Sequence, residues 1–180
     1  MIFTPHPYQQ YCIDRVVSDP YIGLLLDMGL GKTVITLTAI AELRFNRWAV
    51  RRVLIVAPKR VAEATWQKEA AKWDHLRGLK INTVLGSKQQ RIRALFEPGD
   101  IWIINRDNIE WLVDYYLNEL QQPWPFDMVV LDESSSFKNH RSKRFAALRS
   151  VRPKIERLVE LTGTPAPNGL IDLWAQIYLL

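Results

Sequence analysis

The sequence predicts an α/β fold with a largely parallel central sheet, on three observations. Short unbroken apolar runs recur along the chain, the gaps between them carry apolar residues at helical spacing, and two polar clusters follow two of the runs directly. Continuously apolar strands are buried on both faces, as in a parallel sheet covered by helices. Ligand sites on such sheets lie beyond the carboxyl ends of the strands.

The strand-like runs are Ile22 to Leu26, Val53 to Ala57, Ile81 to Leu85, Ile101 to Ile104, Met128 to Leu131 and Leu158 to Thr162. Between the first two, Val34, Leu37, Ala41 and Phe45 share one face of a predicted helix over 33–45. Val61, Ala64, Lys68 and Ala71 mark a second helix over 61–73, in which Trp66 and Trp73, seven apart, read as packing residues. Pro123-Trp124-Pro125 is a stiff approach to the fifth strand. There is no internal repeat, low-complexity segment or long linker, and 180 residues suit one domain with a substantial core.

Behind the first strand stands Asp27-Met28-Gly29-Leu30-Gly31-Lys32-Thr33. It reads as a phosphate loop entering a helix, although the leading glycine of the full pattern is Leu26. Such a loop aims backbone N–H groups and a helix N-terminus at an oligophosphate; Lys32 can reach the β/γ-phosphates and Thr33 can ligand Mg²⁺. ATP is therefore the expected ligand. Behind the fifth strand stand Asp132 and Glu133. Asp132 suits the cation and Glu133 suits deprotonation of an attacking water. A glycine-rich run can be a mere turn, and Asp-Glu after a strand can be a solvated helix start. Two such clusters in this order, each behind an apolar strand, favour nucleotide chemistry over coincidence.

With 48% hydrophobic and 24% charged residues the composition is that of a globular protein, and no apolar stretch approaches the roughly 18 residues of a membrane span. Residues 1–7 lack the basic flank and apolar run of a signal peptide, and Cys12 is the only cysteine. A reducing cytoplasmic location without disulfides is expected, with Cys12 an ordinary helix residue. The net charge of +5 makes a polyanionic partner plausible. Basic residues gather at Arg51-Arg52, Lys59-Arg60, Lys88 to Arg93 and Lys138 to Arg144, which could meet a phosphate backbone or form solvated faces.

Several segments follow one another in a telling order: Pro7-Tyr8-Gln9, the loop Asp27 to Thr33, Ala57-Pro58-Lys59-Arg60 with Trp66 to Glu69, Gly86-Ser87-Lys88 with Arg91, and Asn105-Arg106. Then come Asp132-Glu133-Ser134-Ser135 with Phe137-Lys138-Asn139, and Leu161 to Asn168 with Leu173-Trp174. Over nearly its whole length the chain thus resembles the first RecA-like lobe of superfamily 2 helicase-like ATPases, specifically the SNF2 branch, in which the missing leading glycine is normal. The resemblance implies a RecA-like P-loop three-layer sandwich and one helicase ATP-binding domain over 1–180.

It also implies roles. Gln9 would pair with the N6/N7 edge of adenine, and Gly29, Gly31, Lys32 and Thr33 would hold ATP with Mg²⁺. Lys59, Arg60, Lys88, Arg91, Lys138 and Asn139 would face nucleic acid, and Thr162, Gly163 and Thr164 would couple the γ-phosphate site to the DNA-facing edge. Ser135 stands where the family usually has His, which bears on coupling more than on Mg²⁺ chemistry. A second RecA-like lobe in cis would supply an arginine finger. The chain ends at Tyr178-Leu179-Leu180 within an apolar helix, so it reads as the front half of a motor. Alone it is expected to bind ATP weakly and hydrolyse it very slowly, and the C-terminal helix is a candidate self-association surface.

The implied function is a DNA-dependent ATPase or translocase on double-stranded DNA, cytoplasmic and nucleoid-associated in a bacterium or phage-infected cell. Open alternatives are a strand-separating helicase lobe and a non-catalytic nucleotide-sensing or DNA-docking module. A metabolic P-loop kinase is a third, but it lacks an acceptor lid.

Overall fold

The computed structural model describes residues 1–134 and 142–163. Six strands form one sheet: β1 Tyr21–Leu25, β2 Val53–Ala57, β3 Ile81–Val84, β4 Ile101–Asn105, β5 Met128–Asp132 and β6 Arg157–Thr162. All pairings are parallel and the spatial order is β1-β6-β5-β2-β4-β3. The six predicted runs are these six strands, each boundary within one residue of expectation.

The helices are α1 Pro7–Ser18, α2 Lys32–Ala41, α3 Lys59–Lys72, α4 Lys88–Phe96, α5 Ile109–Asp114 and α6 Lys143–Val151. The helix expected over 33–45 is α-helical only to Ala41 and continues as a π-turn over Glu42–Asn46. The Glu42 carboxylate accepts from Asn46 and Arg47, and Arg47 N–H reaches back five residues to the Glu42 carbonyl, which widens the last turn. Ser87 caps α4 by accepting from Gln90 N–H, and Gln90 Oε1 accepts in return from Ser87 N–H.

Alternation along the strands divides the core into two layers. Val53, Ile55, Ile103, Val130, Val159 and Leu161 face α1, α2 and α3, with Trp66 between them. Leu54, Val56, Ile104, Val129, Leu131 and Leu158 face α5 and α6, with Trp102, Trp124 and Phe126. Helices on both faces of a parallel sheet make the three-layer sandwich that was expected. Trp124 of the Pro-Trp-Pro approach is buried against Phe126, ring centroids 5.3 Å apart. Cys12 is a buried α1 residue. Among the described residues no helix is long and apolar enough to cross a membrane.

The strand order is what positions the site. β1, which leads into the glycine loop, and β5, which ends in Asp132, lie on either side of β6, which ends in Thr162. Three chain-distant segments therefore meet at one end of the sheet. Arg51 and Arg52 precede β2 and lie at the opposite end, so this basic pair is remote from the site. Asp127 Oδ2 and Oδ1 accept the backbone N–H groups of Arg51 and Arg52 there, and the Arg52 guanidinium lies 4.1 Å from the centroid of Trp102.

Candidate active site

Gly29 and Gly31 adopt φ of 83° and 81°, a left-handed conformation that a side chain at Cβ disfavours. Gly31 has a second reason to be glycine: a Cβ there would stand 2.7 Å from Gln9 Nε2, whereas one at Gly29 would meet nothing within 4 Å. Gly31 is also the residue from which α2 springs, and its carbonyl accepts from Ile35 N–H. The turn therefore opens directly onto the helix N-terminus.

Lys32 Nζ donates to the carbonyls of Leu26 at 2.6 Å and Asp27 at 3.0 Å, so its ammonium lies across its own loop. Gln9 is buried beside that loop. Its Nε2 donates to the Leu30 carbonyl at 3.4 Å and its Oε1 accepts from His6 N–H, which closes the start of α1. Tyr8 donates its hydroxyl to the same Leu30 carbonyl, and the Tyr8 ring stacks on His6. Gln9 is thus positioned at the loop, with its amide engaged by the loop and the α1 cap.

At the end of β5, Trp66 Nε1–H of α3 donates to Asp132 Oδ2 at 3.1 Å. Burial pushes the Asp132 carboxyl above the ordinary carboxylate range, and the Trp66 hydrogen bond acts in the opposite sense. Glu133 is exposed and has a left-handed φ of 56°, which is uncommon outside glycine. Its side chain and that of Asp132 line one cleft of about 610 Å³ together with Gln9, Gly29, Gly31, Lys32 and Thr33. α3 supplies the facing wall through Val61, Thr65 and Glu69. A slightly larger depression, of about 670 Å³, lies against α1 and the N-terminal residues; its carboxylates are Asp14, Glu42 and Asp74, and neither the glycine loop nor Asp132 and Glu133 line it.

Thr162 and Gly163 touch the loop from the side. The Thr162 carbonyl accepts from Leu26 N–H at 3.1 Å, and a Cβ on Gly163 would stand 3.4 Å from the Leu26 carbonyl oxygen. Thr164, Lys138, Asn139, Ser135 and the C-terminal helix expectation lie outside the described residues.

The donor set fits a Mg-nucleotide. Asp132 and Thr33 are hard oxygen donors, and the cradle of Gly29 and Gly31 is one that Cβ atoms would distort. Among the described residues no group of three or more His, Cys, Asp or Glu could hold a metal by itself. Mg²⁺ commonly takes only one or two protein carboxylates, with phosphate and water completing the shell.

The expected nucleic-acid residues differ from one another. Lys59 and Arg60 are exposed at the start of α3, beyond the carboxyl end of β2. Lys88 is exposed but bonded to both oxygens of Glu119, at 2.9 Å each. Arg91 is half-buried; its Nη1 donates to Asn108 Oδ1 at 2.7 Å and its guanidinium lies 4.2 Å from the Trp111 centroid. Arg91 therefore serves the packing of α4 on α5.

Two residues gain a polar role that the sequence pattern does not give them. Trp66 reads as core, and it is fully buried, but its contact with Asp132 depends on the tertiary placement of α3, which brings the indole N–H to the end of β5. Glu160 is an ionisable side chain between Val159 and Leu161 in β6, and that anomaly is visible in the sequence.

Comparison with known proteins agrees with this geometry. The model of the SNF2-related domain matches residues 11–180. Protein p41 of Acyrthosiphon pisum secondary endosymbiont phage 1 is 41% identical over 99% of this chain, which spans 39% of that protein. Helicase swr1 of Schizosaccharomyces pombe is 31% identical over 98% of the chain, which spans 14% of it. The chain thus covers well under half the length of these curated relatives. Among solved structures, the Sulfolobus solfataricus SWI2/SNF2 ATPase core in complex with dsDNA superposes with a TM-score of 0.80 at 25% identity, covering 99% of this chain and 36% of that one. The UvsW helicase of bacteriophage T4 shares the fold, with a TM-score of 0.71 at 14% identity over 96% of this chain and 57% of that one.

Proposed function

Because this chain belongs to the SNF2-related domain family and is an SNF2-type, helicase-like ATPase lobe, we propose that it binds Mg-ATP in the cleft described above and hydrolyses it when joined by a second lobe on double-stranded DNA. The observation that carries this reading is the convergence on one cleft of Lys32 and Thr33 with Asp132 and Glu133, from strands far apart in the chain.

Each side chain has a task suited to its position. The loop N–H groups and the α2 N-terminus receive the phosphates, and Lys32 exchanges its loop carbonyls for phosphate oxygens. Thr33 and Asp132 hold Mg²⁺, which when bound neutralises charge on the β- and γ-phosphates. Trp66 fixes one oxygen of Asp132 and so aims the other into the cleft. Glu133 orients the attacking water and takes its proton. Gln9, lodged against Gly31, reads the adenine edge from the side of the loop. Thr162 and Gly163, in contact with the loop, carry the nucleotide state to the DNA-facing edge, with Thr164.

The relative solved with dsDNA supports a duplex partner, gripped through phosphates with little base readout. Lys59 and Arg60 are the best placed of the described residues for that contact; Lys138 and Asn139 are further candidates. Charge on the transferred phosphoryl group also needs an arginine from a second lobe, worth roughly 10³ to 10⁵ in rate. By itself the chain should therefore turn over slowly. If the source is bacterial or viral, the protein would work in the cytoplasm, on the nucleoid.

The deciding experiment is Mg-ATP turnover by the full-length protein, with and without duplex DNA, beside the 1–180 chain. DNA-stimulated turnover that Glu133→Gln abolishes while ATP still binds supports the reading. ATP binding without hydrolysis under any of these conditions would make the chain a nucleotide-sensing module instead.

A further inference from the structure

We propose that Glu160 is a positioning residue: through Ser134 it ties the backbone that carries Glu133 to the strand end that carries Thr162 and Gly163, so that the hydrolytic and coupling segments move together. The inference rests on the ATPase reading above.

Glu160 stands level with Leu131 of β5 on one side and Gly23 of β1 on the other. It is 2% exposed and, by alternation with Leu158, lies on the face covered by α5 and α6, away from the phosphate loop. Of the two level positions, Leu131 is hydrocarbon and Gly23 has no side chain, so neither strand offers the carboxyl a polar side chain there. Ser134, itself fully buried, hydrogen-bonds the Glu160 carboxyl, while Glu160 Oε1 has no partner among the described residues. A carboxyl held this way opposes folding, and a leucine would be the more stable occupant. Such a local conflict is what functional sites retain.

The location supplies the function. Ser134 immediately follows Glu133, whose left-handed backbone needs an anchor on its far side. Glu160 lies two residues before Thr162, whose carbonyl holds the loop at Leu26. The Ser134–Glu160 bond is thus a polar side-chain strut beneath the cleft, joining the segment after β5 to β6 in addition to their backbone pairing and apolar packing. Burial pushes the Glu160 carboxyl up to about 8, so it is predominantly protonated at neutral pH and glutamine is a close mimic.

The test uses the full-length protein and three variants, Glu160→Leu, Glu160→Gln and Ser134→Ala. Three quantities are read: affinity for a non-hydrolysable Mg-ATP analogue, DNA-stimulated turnover, and analogue-induced change in amide exchange at Thr162 and Gly163. Glu160→Leu should melt higher than wild type, keep its analogue affinity, lose about tenfold in turnover and lose the exchange response. Ser134→Ala should lose turnover and response alike, and Glu160→Gln should retain both. Wild-type turnover and response in Glu160→Leu, or in Ser134→Ala should the leucine variant fail to fold, overturn the strut. So does a wild type that binds the analogue with no exchange change at Thr162 or Gly163. A wild type that binds no nucleotide overturns the ATPase reading itself, and the strut with it.

Discussion

The indole of Trp66 and the carboxylate of Asp132 are joined by a 3.1 Å hydrogen bond across the gap between α3 and β5. The residue that packs the helix onto the sheet therefore also sets the rotamer of the carboxylate expected to hold Mg²⁺. Trp66→Phe keeps most of the packing and removes only the donor. It should cost about 1.5–3 kcal/mol of stability, as expected for a buried bond to a charged group, and lower Mg-ATP turnover more than nucleotide affinity. Unchanged turnover at several Mg²⁺ concentrations would limit Trp66 to packing.

Gly29 and Gly31 share a left-handed φ but differ in surroundings, so the pair separates two costs. Gly29→Ala should lose only the backbone preference, about 1–2 kcal/mol. Gly31→Ala should lose that and also displace Gln9, with a larger fall in melting temperature and a loss of nucleotide binding. Equal effects in denaturation and in nucleotide titration would show that Gln9 yields without consequence.

Glu160 makes stability depend on pH. Its carboxyl rises from an ordinary 4.5 to about 8 on folding, so between those values the folded chain keeps a proton that the unfolded chain has lost. The stability contributed by this proton is complete below 4.5 and falls as pH rises to about 8, by up to about 1.4 kcal/mol per unit. Denaturation midpoints of wild type and Glu160→Gln should therefore diverge from pH 5 to pH 8, the variant being flatter. Parallel curves would mean that Glu160 ionises in the fold much as it does in the unfolded chain.

Lys59 and Arg60 should behave as phosphate contacts and Arg91 as a structural residue. The double substitution Lys59→Ala with Arg60→Ala should weaken duplex binding regardless of sequence and reduce the slope of log affinity against log salt by about 2. Arg91→Ala should lower the melting temperature, through loss of its contacts with Asn108 and Trp111, with little change in that slope. The opposite pattern in salt titrations would exchange their roles.

The sheet was legible because its strands are mostly apolar, β2 and the first four residues of β4 and β5 without interruption, and the loop and carboxylate pair because they follow strands directly. Periodicity could not show which strands are neighbours. The placement of β6 between β1 and β5 brings Gly163 against Leu26, a contact between residues far apart in the chain. For the same reason the polar duty of Trp66 was hidden, since a helical pattern records which face is buried and not what the single N–H on that face meets. Local charge density was the weakest guide. Arg51-Arg52 and Arg91 belong to basic runs, yet Asp127 and Trp111 engage them within the fold.

The pairing of β1 with β6 also constrains how the molecule is made. On a ribosome β1 and the glycine loop emerge early, but Tyr21 pairs with Leu158 and Leu25 with Thr162, residues synthesised near the end of this segment. Closing so long a loop is entropically costly and slow. The nascent β1 must therefore wait, with no neighbour among the earlier strands, while β2 to β5 can already pair among themselves. The glycine loop gains its contacts with Thr162 and Gly163 only when β6 arrives, so a chain interrupted before residue 157 would fold much of its sheet yet lack that support for the loop.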